Sequence, residues 1–472
     1  MKFSSPALLL AAFLVTHQDS VSAFLPFTQQ HHQSRTQHPS CISTTNLYST
    51  AVNNVVLRPT RSSDTDDSDV DDDHVFDSLK IGGCRVHRYS GGADSIEDAD
   101  VHYVMWYHGR SVKQDQDKSL PPLSTGRIGR ATSKNGLVFV KDRKGSSSED
   151  VEGVAVGLNH EAWWGFDTAH VGLGSVLLPM STPAVMAEGG VYLMYYMGGS
   201  HEETPIGDYV DKDMPADATI KGMKMKIGVC VSQDGKTWGR VEGDDPSGAC
   251  MVPYDKNDPN TREMATLKDD NNADLDLPEE LYCGWPDVVV KIDKEKAANS
   301  GFFMYYSTMT KIGKEKCIAV AVSGDGFRWD KRGLCLKPSN DESSMDNAGC
   351  ARCNVVQNAV YDPVECRWSD APGYTMYYEG VSKADNKHRI MVAESDDGRT
   401  WNKKGVVLDV GDDGLWDSDG VGSPHILRMD DGSQRMYYVG QQGKDTAIGV
   451  AKLEPDSSCW VREQSSIVFA ES

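Results

Sequence analysis

Apolar and small or polar residues alternate along this chain in short stretches that recur. Residues 226–238 read KIGVCVSQDGKTW. Ile227, Val229 and Val231 fall on one side, and Gly228, Cys230 and Ser232 on the other, which is the two-residue period of a strand. Asp234-Gly235 then signals a hairpin, because glycine accepts the positive φ of a tight turn. Trp238 opens the return strand. The stretch is written again as CIAVAVSGDGFRW at 317–329 and RIMVAESDDGRTW at 389–401. Weaker copies are RIGRATSKNGLVF at 127–139 and AIGVAKLEPDSSCW at 447–460. An aromatic stretch with a Met precedes each copy: YVMWYHG (103–109), YLMYYMG (192–198), FFMYYST (302–308), YTMYYEG (374–380) and RMYYVGQ (435–441). Such segments suit strands packed on both faces.

A further strand lies upstream of each aromatic one. It is carried by CRVHRYS (84–90), FDTAHVGLGSVLLP (166–179), GWPDVVVKI (284–292), CARCNVVQNAV (350–360) and WDSDGVGSPHILRM (416–429). The second and last of these align residue for residue, Asp167 with Asp417 and Val171-Gly172 with Val421-Gly422, and Asp346 takes the same place in the fourth unit. The repeating unit is therefore strand, aromatic strand, Ile-Gly strand, hairpin, return strand. No such unit buries both faces by itself, whereas five in a ring do. The expected fold is all-β, a five-bladed β-propeller of four-stranded antiparallel blades over 76–472. The repeated thirteen-residue stretch is then an outer hairpin, with a structural rather than a chemical purpose.

The N-terminus reads as an address. Lys2, the apolar run ALLLAAFLV and the small residues VSA make 1–23 a signal peptide. Residues 24–63 hold no Asp or Glu and are rich in Ser, Thr, Gln, His and Arg, as transit peptides are. SAFLP at the junction resembles the motif of diatom plastid presequences. The acidic stretch DTDDSDVDDD (64–73) reads as a linker, so 24–75 is expected to be disordered. A plastid reached by the secretory route is the expected location, with plain secretion as the alternative. No later stretch is long and apolar enough to predict a membrane-spanning helix.

A net charge of −22 argues against a nucleic-acid partner. The 11 cysteines form no disulfide framework by spacing. Cys350 and Cys353 form a single CxxC with no second pair to complete a zinc site, and a buried structural role is expected. No metal-ligand spacing or phosphate-cradling loop stands out, and no cofactor is expected.

The blade pattern resembles the propeller superfamily of arabinanases, levansucrases and invertases. That resemblance implies sugar binding at the central funnel and catalysis by a set of carboxylates, one protonating the leaving oxygen and one attacking or activating water. In relatives with an Asp-Pro start to the inner strand, the Asp is catalytic. Here Trp285 precedes Pro286 and Ser423 precedes Pro424, so that carboxylate is absent. The remaining acidic candidates are Asp287, which follows Pro286, together with Asp419 and Asp167. The recurrence of Asp167, Asp346 and Asp417 favours a turn or capping role for those three. Asp287 aligns with Ser175, Asn354 and His425 in a mixed polar ring. Arg352 is suited to holding an anionic group, with His425, His170 and Asn354 as polar contacts. Trp285, Trp416 and the pair Trp163-Trp164 offer flat faces for sugar rings. Two readings follow. One is a plastid carbohydrate-active enzyme, a glycoside hydrolase acting on a small-molecule or oligosaccharide ligand. The other is a non-catalytic propeller that binds a saccharide or a protein partner through its top face and the insertions 200–222 and 251–281.

Overall fold

The computed structural model describes residues 54–61, 75–89, 102–111, 126–142, 153–181, 189–210, 215, 217–263, 265, 277–291 and 301–465. The signal peptide, most of the transit peptide and the acidic linker lie outside them. The described chain is almost entirely β. A short strand, β1 (Val55–Leu57), comes first, and antiparallel meanders follow. The first is β2 (Lys80–Tyr89), β3 (His102–Arg110), β4 (Gly126–Ser133) and β5 (Val140–Lys141), with β6 (Val154–Val156) also on β4. The second is β7 (His170–Met180), β8 (Val191–Gly199), β11 (Lys226–Ser232) and β12 (Gly239–Val241); a small hairpin, β9 (Glu203–Pro205) and β10 (Thr219–Lys221), is inserted after β8. The third runs β13 (Glu280–Lys291), β14 (Gly301–Thr310), β15 (Lys316–Ser323) and β16 (Asp330–Leu336). The fourth runs β17 (Gly349–Asp362), β18 (Arg367–Val381), β19 (His388–Ser395) and β20 (Asn402–Leu408). The last is β21 (Gly420–Arg428), β22 (Gln434–Gln442) and β23 (Asp445–Leu453), with β24 (Val461–Arg462) on β23.

β1 supplies a further strand to this last meander, pairing antiparallel with β23. The expected boundary at residue 76 therefore cuts away part of the fold. Asn54 is fully buried. Its amide donates to Tyr438 Oη (2.6 Å) and the Val450 carbonyl (3.1 Å), and its side-chain oxygen accepts from Trp416 Nε1 (2.9 Å). The transit-like composition of this region hid a three-residue apolar run, Val55-Val56-Leu57, that is buried against β23.

The first strands neighbour one another in order, β2 beside β7, β7 beside β13, β13 beside β17, β17 beside β21 and β21 beside β2. Polar side chains fasten each to the next. His87 Nε2 meets the Val176 carbonyl (2.8 Å), Ser175 Oγ accepts from Val288 N (3.2 Å), and Asp287 accepts from Val355 N (2.7 Å). Asn354 accepts from Ile426 N (2.8 Å), and His425 Nε2 meets the Val86 carbonyl (2.9 Å).

The repeated hairpins fasten a second layer. In each Ser-x-Asp/Asn-Gly turn the serine hydroxyl accepts from the glycine N–H at 2.8–2.9 Å, and the glycine has positive φ. The glycine carbonyl then accepts from an aromatic strand of the preceding meander: Trp106 Nε1 to Gly235, Tyr195 to Gly326, Tyr305 to Gly398 and Tyr437 to Gly136, all within 2.7–3.0 Å. The weak copy at 447–460 lacks the glycine; there Tyr377 packs edge-on against Trp460.

The glycines of the Ile-Gly and Tyr-x-Gly motifs have a steric cause. A Cβ on Gly228 would enter the ring of Phe166, and one on Gly449 would enter Trp416. These aromatics precede Asp167 and Asp417, as Phe76 precedes Asp77 over Gly109 and Gly129, so the loops entering the first, second and last meanders lay an aromatic-Asp pair across two strands.

Candidate functional site at the first-strand bulges

The five first strands share an irregularity. Each has a register shift at the same level: between Ile81 and Cys84, Leu173 and Ser175, Gly284 and Asp287, Ala351 and Asn354, and Gly422 and His425. A bulge re-aims side chains and is common beside binding sites. At three of them a non-glycine residue is held left-handed: Trp285 (φ 48°), Arg352 (φ 43°) and Ser423 (φ 49°). Such a backbone costs of order 1–3 kcal/mol and persists only where its surroundings impose it.

These bulges border a cavity of about 50 Å³ lined by Trp285, Arg352, Glu379, His388, His108 and Gln441, among others. Glu379 is its centre. One oxygen meets His388 Nδ1 at 2.6 Å, the other accepts from Ser423 N at 3.1 Å, and Arg352 lies 3.4 Å from both. Burial opposes ionisation of Glu379, but Arg352, His388 and the Ser423 N–H outweigh it and hold the pKa down at about 2. Gly422 is required here, because a Cβ would collide with the Glu379 carboxylate. The Arg352 guanidinium lies 4.8 Å over the Trp285 ring, and its backbone N–H donates to Ser307 Oγ at 2.8 Å.

Positive charge gathers around this group. Arg110 and Lys80 oppose each other in the β2–β3 register and both are buried, Arg110 within reach of the Arg352 charge and Lys80 within reach of Asp445. Burial and the like charge of Arg352 lower the Arg110 pKa to about 10. Burial, then His170 and Arg352, take His108 to about 3. The inserted hairpin borders the same region: the Gly222 carbonyl accepts from His170 Nε2 (2.8 Å), and Tyr209 packs in one cluster with Trp285.

The expected site residues distribute as follows. Arg352 and Trp285 meet at the cavity. Asp287, Asn354 and His425 belong to the buried ring that joins the first strands. Asp287 is 2% exposed and is paired with Arg85 at 3.0 Å; burial pushes its pKa up. His425 is held neutral, its pKa lowered by burial to about 3. Asp167 lies in a different place, bonded to Tyr196 Oη (2.8 Å) and Arg240 Nε (2.7 Å). Asp77, Asp346 and Asp417 repeat this arrangement with Tyr107 and Lys141, Tyr378 and Lys403, and Tyr438 and Arg462. In the third meander Glu280 does the same with Tyr306 and Lys331. Asp419 caps a turn, accepting from Gly443 N at 2.6 Å. The three acidic candidates thus stand in three separate environments. Trp163 and Trp164 lie on a turn outside the cavity lining, and Cys350 and Cys353 are buried free thiols.

Glu379, His388 and His108 were not among the expected residues. Glu379 and His108 occupy the position after the aromatic pair, where the other copies carry Met197, Ser307 and Val439. A charge inside an otherwise apolar aromatic strand was the available signal.

No family model matches the chain. Two uncharacterized proteins, from two strains of Mycobacterium tuberculosis, are 34% identical to it over 140 residues, covering 29% of this chain and 40% of each relative. Among solved structures it is similar to a glycosyl hydrolase from Bacteroides ovatus (14% identity, TM-score 0.48, 88% of this chain and 95% of that one). A second glycoside hydrolase gives 15% identity and a TM-score of 0.49, over 89% of this chain and 95% of that one. A Bombyx mori beta-fructofuranosidase gives 10% identity and 0.45, over 83% of this chain and 64% of that one.

Proposed function

We propose that this protein is a five-bladed β-propeller of glycosyl-hydrolase type that holds a saccharide derivative in its funnel by an anionic group. The ring order of the first strands and the addition of β1 to β23 support the blade count. The observation that carries the ligand class is Arg352 beside the one lining carboxylate, with the buried Arg110 within electrostatic reach of it, in a protein of net charge −22. Arginine suits the task through its planar, two-pronged donors. A cavity of about 50 Å³ admits a small head group such as a carboxylate or phosphate. The sugar ring then sits above it, against Trp285.

Binding without hydrolysis is the better-supported form of this reading. Glycoside cleavage uses two carboxyl groups about 5–10 Å apart. Among the described residues lining the cavity, Glu379 is the one acid. Its pKa of about 2 makes it an acceptor and counter-ion rather than a proton donor. Hydrolysis by Asp287, with Asp419 or Asp167, is the second form; the raised pKa of Asp287 favours it, since a general acid must stay protonated. We also propose delivery to the plastid, with the presequence removed before Asn54.

A thermal-shift titration with glucose 6-phosphate, galacturonate and their neutral parent sugars tests the reading. The expected result is stabilisation by an anionic sugar, reaching about 2.7 kcal/mol at a hundred-fold excess over Kd, and its loss in Arg352→Gln. Equal shifts with the neutral sugars, or an unchanged shift in Arg352→Gln, would overturn it.

A further inference from the structure

We propose a second carbohydrate site on the outer face, in the groove between the first two meanders, that takes a neutral oligosaccharide. It is independent of the channel. The groove has a volume of about 630 Å³ and shares no lining residue with the channel cavity. It is lined by Asn159, Glu161, Trp164, Trp238, Glu242 and Ser247, among others. Trp164 is 45% exposed, and Trp163, on the same turn, is 87% exposed.

The exposure of these indoles is not a by-product of folding. The aromatic that this turn needs is Phe166, which packs over Gly198 and Gly228 as Trp416 packs over Gly440 and Gly449. The equivalent turn of the last meander carries Asp413-Gly414 where Trp163-Trp164 stand, so the geometry does not call for tryptophan. The turn is also pinned. Ala162 N donates to Asn159 Oδ1 (3.0 Å), Gly165 N to the Ala162 carbonyl (2.8 Å), Asn159 N to the Asp167 carbonyl (3.1 Å) and Phe166 N to the Ser247 carbonyl (3.2 Å). Two large aromatics are thus displayed at little further conformational cost to a ligand.

The chemistry of the walls selects the occupant. Flat indole faces beside hydrogen-bonding groups match a pyranose, which has apolar ring faces and a rim of hydroxyls. Glu161 and Glu242 are exposed and accept from hydroxyls. The one guanidinium in the lining, Arg240, is already bonded to Asp167 and to the Gly157 carbonyl. The groove is therefore acidic, opposite in sign to the channel, and it disfavours uronates and sugar phosphates.

Native electrophoresis of the full chain through gels containing starch, arabinan, mannan, a mixed-linkage β-glucan or polygalacturonate tests the site. Retardation by at least one neutral polymer is expected. It should weaken roughly tenfold or more in Trp163→Ala/Trp164→Ala and persist in Arg352→Gln, which separates this site from the channel. The double variant should keep the wild-type melting temperature, because both rings are exposed. Absence of retardation by every neutral polymer would overturn the proposal. So would unchanged retardation of the double variant, or equal retardation by polygalacturonate.

Discussion

Acidic side chains do three different jobs here, and neighbours rather than residue type assign them. Asp167, Asp417 and their counterparts each bond a tyrosine and a cation and hold one meander together. Asp287 fastens one first strand to the next and neutralises Arg85. Glu379 faces the channel cavity. Asp287→Asn would leave Arg85 buried without its counter-charge, a change that costs about 3–5 kcal/mol. Chemical denaturation should show that loss, so reduced activity in this variant would report folding as much as chemistry. An unchanged unfolding midpoint would instead free Asp287 for a chemical role. The recurrence of Asp167, Asp346 and Asp417 in the sequence had already pointed to structure; Glu280, one residue out of pattern and of another type, had not.

The decisive element is β1. It buries Val55, Val56 and Leu57 and brings Asn54 to Tyr438 and Trp416. At about 1.5–3 kcal/mol per buried aliphatic side chain, these residues contribute roughly 5 kcal/mol or more. A chain begun at residue 75 should melt well below one begun at residue 50, and the exposed edge of β23 should promote aggregation. Matching melting curves for the two would show β1 to be dispensable. Hairpin copies, in contrast, were legible at once, because a strand, an Asp-Gly turn and an aromatic leave a pattern in consecutive residues. That their glycine carbonyls accept from a tryptophan or tyrosine of a neighbouring meander was not legible, since the partners lie about a hundred residues apart or more.

At the scale of the molecule, four buried histidines couple stability to pH. Burial lowers His87 and His170 to about 4 and His108 and His425 to about 3, from an ordinary 6.5. The unfolded chain binds protons at these sites below about pH 6.5 that the folded chain refuses until about pH 4. Stability should therefore fall as pH drops through that window, before most carboxylates titrate, by up to about 1.4 kcal/mol per pH unit for each ring. Glu379, held at about 2 against 4.5, adds a further loss below about pH 4.5. Melting temperatures at pH 7.5, 6.5, 5.5 and 4.5 check this, and a flat profile from 7 to 5 would contradict it.

The sequence by itself determined the repeat, the all-β character and the position of each turn, because these follow from residues a few positions apart: period-two alternation, Asp-Gly pairs, and aromatic strands two or three turns of pattern upstream. It also marked Arg352 and Trp285 by their alignment at the head of the first strands. Only the tertiary structure decided what those positions face. Bulges turn Trp285, Arg352 and Ser423 left-handed; Glu379 and His388 reach Arg352 from the next strands of its own meander, and packing between meanders brings Trp285, Ser423 and His108 to the same cavity. Which acids meet a cavity and which are consumed in holding strands together depends on contacts between distant segments, and no local pattern encodes those.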